Sequence, residues 1–406
     1  MIFFLRLFRV GGIVPRLDQV WANSLNRRNA VRAMAGFLAG SPLLRSQQDP
    51  FRDHSRVPGL NELVTSFDFE PVAYAKVPRY NYDYTAYGTD SEFTLRRNRQ
   101  AFDWVDLIPN RVPGVSSIQT ATEILGTRMD FPIMVSPSSG HSALHPDGEM
   151  ATYQGATAAS NTPYIVSNAS SFPFEKIATA AKGPLWFQLH PKLELDDNRD
   201  LLDRVQAAGA RAVVVTLDQQ AAEHERILHD RNLTTRPPAT RRTAPKNPYR
   251  LAEYRLFYSW KLLEQIRRMV KVPMLAKGIL TAEDAKQCLE CGLDGVYVSN
   301  HGGRSLDYSP STLEVLPEIV DAVGGKVPVL FDSGVRRGTD ALKALALGAR
   351  AVCLGRVPRW GLGAYGAPGV QRILEILQAE LVQGMAYIGR PALSSIDRTI
   401  VRADFP

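Results

Sequence analysis

From Phe131 onward the chain repeats one beat eight times: a short β-branched or aromatic run, then a helical stretch. The runs are "FPIMVS", "PYIVS", "LWFQL", "RAVVVTL", "VPMLAKG", "DGVYVSN", "VPVLFD" and "RAVCLG". Between them lie segments such as "DGEMATYQGATAAS", "NRDLLDRVQAAG", "TAEDAKQCLECG" and "GTDALKALALGA", several closing on the glycine that ends helices. Runs that are apolar almost throughout, with no polar alternation, are buried on both faces. Strands of that kind, alternating with helices, make a parallel sheet covered by helices. Eight such units predict an α/β fold, the (β/α)8 TIM barrel. An open doubly wound sheet is the alternative, but no G-x-G-x-x-G follows the first run. With 406 residues, 45% of them hydrophobic, the chain can bury a core of that size.

Some segments stand outside the beat. Residues 67–105 contain "YNYDYTAYGTDSEFTLRRNRQAFDWV" and read as short helices, an N-terminal helical cap on the barrel. Residues 231–254 are rich in Pro and Arg and read as a long loop over the barrel mouth. Residues 1–66 read as a basic leader or surface arm and 67–406 as the barrel domain. Of the net charge of +7, residues 1–60 supply +6, from nine Arg against three Asp with no Lys or Glu. The body is therefore nearly neutral, which argues against a nucleic-acid surface on it. The first 17 residues are too short and too charged to span a bilayer. Arg27 and Arg28 precede a small-residue stretch, as in a twin-arginine export signal, but Arg32 interrupts it. The expected location is cytoplasmic, with export or membrane-surface association through residues 1–45 as the alternative. Three cysteines make no disulfide framework. Cys288 and Cys291 have metal-pair spacing, yet they sit in a capped helix with no second pair at zinc spacing, so no metal site is expected.

In a barrel of this class chemistry sits at the C-terminal strand ends. Those ends carry Pro137, Ser138 and Ser139; Ser167; Gln188 and His190; Thr216 and Asp218; Lys277; Ser299, His301 and Arg304; Asp332, Ser333, Gly334 and Arg336; Gly355 and Arg356. Each residue alone has a structural explanation; a polar group at every end does not. "DSGVRRGTD" and "GR" after the last two strands supply free backbone N–H groups and guanidinium groups, the makings of a phosphate site. Ser139, Ser167, Gln188, Thr216 and Lys277 would then line a flat polar heterocycle, with the lysine stabilising negative charge that accumulates on reduction.

The stretches "YDY", "PIMVSPSS", "HPDGE", "FQL", "LAKGILTAEDA", "VSNHGGRSLDYSPSTLEVL" and "SGVRRGTDALKALALGA" occur in order between Asp68 and Arg402. In these the sequence resembles the FMN-dependent α-hydroxy-acid oxidase/dehydrogenase family, which includes glycolate oxidase, lactate oxidase and mandelate dehydrogenase. The resemblance implies FMN as cofactor and oxidation of an L-2-hydroxy acid to the 2-oxo acid. Electrons would pass to oxygen or to a quinone or protein acceptor, in a homo-oligomer, a tetramer in the family. It also implies roles. His301 is the expected base, Asp218 the carboxylate that orients it, and Arg304 with Tyr84 the substrate-carboxylate clamp. Lys277 is the flavin-facing lysine, and Ser167, Gln188 and Thr216 are ring contacts. Asp332, Gly334, Arg336, Gly355 and Arg356 form the ribityl and phosphate site. A bidentate guanidinium fixes the tilt of a carboxylate, and a nearby Asp stabilises an imidazolium, so the chemistry agrees with these roles.

The sequence departs from the family at several of these places. His190 stands where a substrate-side tyrosine is usual, and His224 where a second substrate arginine is usual. Ser305 replaces Gln, Ser333 replaces Gly, and Ala169 lies where some members have a bulky aromatic. One cation fewer and less bulk argue against glycolate and for a larger side chain. A flavin-binding barrel without turnover is the alternative reading.

Overall fold

A computed structural model describes residues 56–110, 114, 116–218 and 257–406. Most of the expected leader, the loop 231–254 and His224 lie outside the described residues. The eight runs form eight parallel strands: β1 (Ile133–Val135), β2 (Tyr164–Ser167), β3 (Leu185–Leu189), β4 (Val213–Thr216), β5 (Met274–Ile279), β6 (Gly295–Val298), β7 (Val329–Phe331) and β8 (Ala351–Leu354). They close into a barrel in chain order, β8 pairing β1 through Val352–Ile133 and Cys353–Met134. The expected fold is the observed one.

Strand periodicity assigns each side chain to one of two cores. Met134, Ile165, Trp186, Val214, Leu275, Tyr297, Leu330 and Cys353, one from each strand, pack together inside the barrel. Their sequence neighbours Val135, Val166, Phe187, Val215, Ala276, Val298, Phe331 and Leu354 join the larger core between strands and helices. Two faces buried at once account for the unbroken apolar runs. Two residues further on, the inward register reaches Ser136, Ser167, Gln188, Thr216, Lys277, Ser299, Asp332 and Gly355, so the polar strand ends converge on the barrel axis.

A hairpin closes the opposite, N-terminal mouth. Thr122–Ile124 pairs antiparallel with Thr127–Met129 across Leu125 and Gly126, at φ 50° and 75°. Two successive positive φ values suit a tight two-residue hairpin turn. Ile124 and Met129 seal the inner cluster, and Trp186 Nε1 donates to Thr127 Oγ1 at 2.9 Å. The sequence reading assigned no element to this hairpin, its first run beginning at Phe131.

The helical cap is present as expected: α1 (Phe69–Lys76), α2 (Arg79–Ala86) and α3 (Phe93–Gln100). Phe69, Val72 and Ala73 are buried, and Ala73 meets the long final helix, Arg356–Ile388, beside Gly363. Residues before the cap join the same body, with Leu63 2% exposed and Ser66 Oγ donating to the Arg336 carbonyl. Polar ties fix the cap over the C-terminal mouth. Arg97 forks onto Glu314 at 2.8 and 2.7 Å, and Asp307 accepts from the Ser91 and Thr94 amides at 2.9 Å each. The capped helix expected around Cys288 is Ala282–Glu290, with Thr281 Oγ1 accepting from the Asp284 amide at 3.1 Å. Cys288 is buried in it and Cys291 is buried at its C-cap, as helix packing requires.

Candidate active site

The cap and the loop after β6 build the site together. Asn300 and Asn98 exchange side-chain hydrogen bonds at 2.7 and 2.8 Å while buried, which locks the start of "NHGGR" to α3. His301, Gly302 and Gly303 then run through φ 56°, 67° and 75°. A Cβ on Gly303 would lie 2.7 Å from the backbone of Leu95, so only glycine lets this loop pass under the cap. Gly278 plays the same part opposite. Its φ is 104°, β5 is irregular there, and a Cβ would stand 2.7 Å from the Cβ of Asp218.

That close approach brings Asp218 to His301. Asp218 Oδ1 meets His301 Nδ1 at 3.0 Å, leaving Nε2 as the ring nitrogen available to a ligand. Burial pushes the Asp218 carboxyl up, but His301, Lys277 and His190 draw it down to about 2. A carboxylate charged at every working pH favours the Nδ1–H tautomer and stabilises a protonated ring. The His190 ring lies 6.4 Å from that of His301 at 29°, and its amide donates to Asn168 Oδ1 at 3.2 Å. Asp218 is thus within electrostatic reach of both imidazoles, although the sequence offered His190 no carboxylate.

Below these residues Lys277 is 2% exposed, and its Nζ donates to Ser299 Oγ at 2.8 Å. Asp332 Oδ2 lies 3.9 Å from that Nζ and accepts from Ser136 Oγ and Tyr297 OH at 2.9 Å each, and Ser333 Oγ donates to its Oδ1 at 2.8 Å. Ser167 Oγ donates to Gln188 Oε1 at 2.7 Å, whereas Gln188 Nε2 and Thr216 Oγ1 are buried without a partner. Buried donors and acceptors are almost always satisfied, so two orphans facing one cleft mark where a polar ligand belongs.

The cleft encloses about 740 Å³, including its open mouth. Tyr84, Pro137, Ser138, Ser139, Lys277, His301 and Arg304 line it together with Asp332, Ser333, Gly334, Arg336, Gly355 and Arg356. A contiguous chamber of about 400 Å³ adds Ser167, Gln188, His190 and Thr216. Asp218 and Ser299 stand behind the wall, bonded to His301 and Lys277. Every expected site residue is therefore on the cleft or one hydrogen bond from it.

The cationic end is held by backbone carbonyls. Arg304 Nη1 donates to the carbonyls of Tyr84 and Tyr87 at 2.7 and 2.8 Å, with its guanidinium carbon 4.9 Å from the Tyr84 ring centre. Arg356 donates to the carbonyls of Thr85, Gly302 and Tyr87 at 3.0, 2.9 and 3.1 Å. Burial, then Arg304 and Arg336, pushes the Arg356 guanidinium down to about 9. The carbonyls at the C-terminal end of α2 steady Arg304 and Arg356, and these two cations crowded with Arg336 suit a polyanionic ligand. The residues thus fit a flavin mononucleotide: polar orphans and a buried lysine for a polar ring system, and guanidinium groups for a terminal phosphate. Among the described residues no group of three or more His, Cys, Asp or Glu could hold a metal ion.

Sequence reasoning missed Ser136, Tyr297 and Arg359. Period-2 counting along β1 and β6 would have found the first two. Arg359 follows Arg356 by three residues, the spacing of one helix face.

Residues 73–403 match the family model described as FMN-dependent dehydrogenase. A peroxisomal (S)-2-hydroxyacid oxidase of Arabidopsis thaliana is 37% identical over 356 residues, covering 85% of this chain and 98% of that protein. The 2-hydroxyacid oxidase 1 of Mus musculus is 38% identical over 362 residues, with coverages of 84% and 97%. A crystal structure of mandelate oxidase superposes with a TM-score of 0.77 at 33% identity, over 84% of this chain and 99% of that one.

Proposed function

The chain belongs to the FMN-dependent dehydrogenase family, and we propose how its residues divide the work of that chemistry. The enzyme oxidises a 2-hydroxy acid to the 2-oxo acid with FMN as cofactor. FMN, when bound, takes up the two electrons that leave the substrate. Arg336 and Arg356 would hold the phosphate, with Gly355 leaving open room beside it and Gly334 letting its loop pass the Asn98 backbone of α3. Asp332 binds the ribityl chain, and Ser167, Gln188 and Thr216 contact the ring. Lys277 favours the reduced cofactor by supplying positive charge at the ring edge. Pro137, Ser138 and Ser139 form the wall across from it.

Arg304 and Tyr84 bind the substrate carboxylate, which places the adjacent carbinol carbon beside His301. His301 Nε2 removes one proton from the substrate, and Asp218 stabilises the imidazolium that results. The observation that carries this reading is the 3.0 Å His301–Asp218 contact on the same cleft as Arg304. A positioned general base contributes about 10²–10⁴ in rate, so no other single group is asked for more.

For the substrate we propose a 2-hydroxy acid larger than glycolate. Its side chain would enter the chamber beside His190, which carries an imidazole where the family's usual tyrosine is bulkier. The acceptor proposed is oxygen, in line with relatives named oxidases, with a quinone as the second choice. No helix among the described residues is long and apolar enough to cross a membrane. A cytoplasmic homo-oligomer is the proposed setting. Anaerobic mixing of the holoenzyme with 2-hydroxy acids of increasing size tests the substrate. Faster flavin bleaching by an aromatic or branched acid than by glycolate is expected; glycolate as the best substrate would sink the proposal.

A further inference from the structure

The substrate end of the cleft has a cation that the roles above leave unused. Arg359, on the final helix, is 4% exposed and lines the cleft. Its Nη1 donates to the Ser139 carbonyl at 2.6 Å, and its Nε and Nη2 donate to Thr85 Oγ1 at 3.2 and 2.9 Å. A guanidinium has five N–H donors, so two remain. No carboxylate of the described residues stands at ion-pair distance from it. A buried charge left without a counter-ion is costly, and such a group is expected where a ligand anion completes it.

Its surroundings say which anion. The Ser139 hydroxyl meets the Tyr84 hydroxyl at 2.8 Å, and Thr85 is the next residue on α2. Arg359 therefore grips both neighbours of the Tyr84 side chain, one on the barrel and one on the cap. Burial, then the like charge of Arg304, pushes its guanidinium down to about 10, with Tyr84, Tyr164 and Glu149 opposing. Arg356, one turn earlier, faces the carbonyls of Thr85, Tyr87 and Gly302 instead.

We propose that Arg359 is a second substrate-side cation, a positioning residue that braces Tyr84 and adds its charge to the pull on the carboxylate bound at Arg304. This rests on the reading of Arg304 and Tyr84 as the carboxylate clamp. It would supply from the final helix the cation that the family resemblance expects elsewhere, where this chain has His224.

The test compares wild type, Arg359→Met and Arg359→Lys as flavin-loaded enzymes. Pyruvate, a carboxylate with no oxidisable carbinol hydrogen, is titrated against the flavin absorbance band, and pyruvamide, its uncharged counterpart, is titrated in parallel. We expect Arg359→Met to bind pyruvate about ten-fold more weakly, the low end for losing one charge-assisted contact. Pyruvamide binding and flavin content should change less, and Arg359→Lys should recover part of the loss. With a 2-hydroxy acid, KM should rise more than the limiting reduction rate falls. Equal pyruvate affinity in all three proteins would overturn the proposal, as would equal losses for pyruvate and pyruvamide or no pyruvate binding by wild type. If Arg359→Met loses its flavin, wild type against Arg359→Lys carries the comparison, with a smaller pyruvate loss expected. Failure of every 2-hydroxy acid to reduce wild-type flavin counts against the proposed substrate instead, and leaves the pyruvate comparison standing.

Discussion

The two ends of the barrel are built by the same eight strands and do opposite things. At the N-terminal end the inward positions are Met134, Ile165, Trp186, Val214, Leu275, Tyr297, Leu330 and Cys353, sealed by Ile124 and Met129 of the hairpin. Two residues along each strand, the same register presents Ser136, Ser167, Gln188, Thr216, Lys277, Ser299, Asp332 and Gly355 to the cleft. One pleat separates a dry plug from a polar site. Apolar burial below holds the strands in a closed ring, and that ring fixes the spacing of the polar groups above. The comparison teaches that stability and chemistry occupy successive layers of one scaffold, so substitutions in the two layers should fail differently.

The largest expected effect in the lower layer is on stability. Trp186 is fully buried, and truncating a large buried aromatic costs about 3–5 kcal/mol. Trp186→Ala should lower the thermal midpoint sharply, while flavin reduction in the molecules that stay folded is little slowed. Calorimetry beside stopped-flow reduction checks the split; a variant that keeps its midpoint and loses its reduction rate would break the comparison.

In the upper layer Lys277 should show the reverse, at a smaller energy. Losing a charge-assisted hydrogen bond costs about 1.5–3 kcal/mol, or roughly ten- to a hundred-fold in an equilibrium constant. Lys277→Ala should weaken flavin retention or slow its reduction by that factor, read by ultrafiltration and by stopped flow. Unchanged retention and reduction would remove Lys277 from the cofactor's surroundings.

The sequence carried the barrel because its signal is repeated: eight apolar runs buried on two faces suit a closed ring of this length, and no G-x-G-x-x-G supports the open doubly wound sheet. The site residues were legible for a related reason, since a strand end in this fold is a defined place, and His301 with Arg304 sits at one. What escaped was set by tertiary contact. Leu125 at positive φ gives no turn signal of its own, so the hairpin that plugs the barrel went unread before the first run at Phe131. Arg359 drew no reading from the sequence, and only the final helix places it against Ser139 and Thr85. His190 gained its nearness to Asp218 only when β3 and β4 were paired, through Gln188–Val214 and Leu189–Val215.

His301, oriented by Asp218, is the proposed base. His190 shares the chamber and the field of the same carboxylate, so the two imidazoles are the natural contest. Anaerobic stopped-flow reduction of the FMN enzyme by its best 2-hydroxy acid, in wild type, His301→Gln and His190→Phe, decides between them. His301→Gln should slow reduction by about 10²–10⁴ with a modest change in substrate binding, and His190→Phe should cost less. The reverse order would contradict that assignment and make His190 the base.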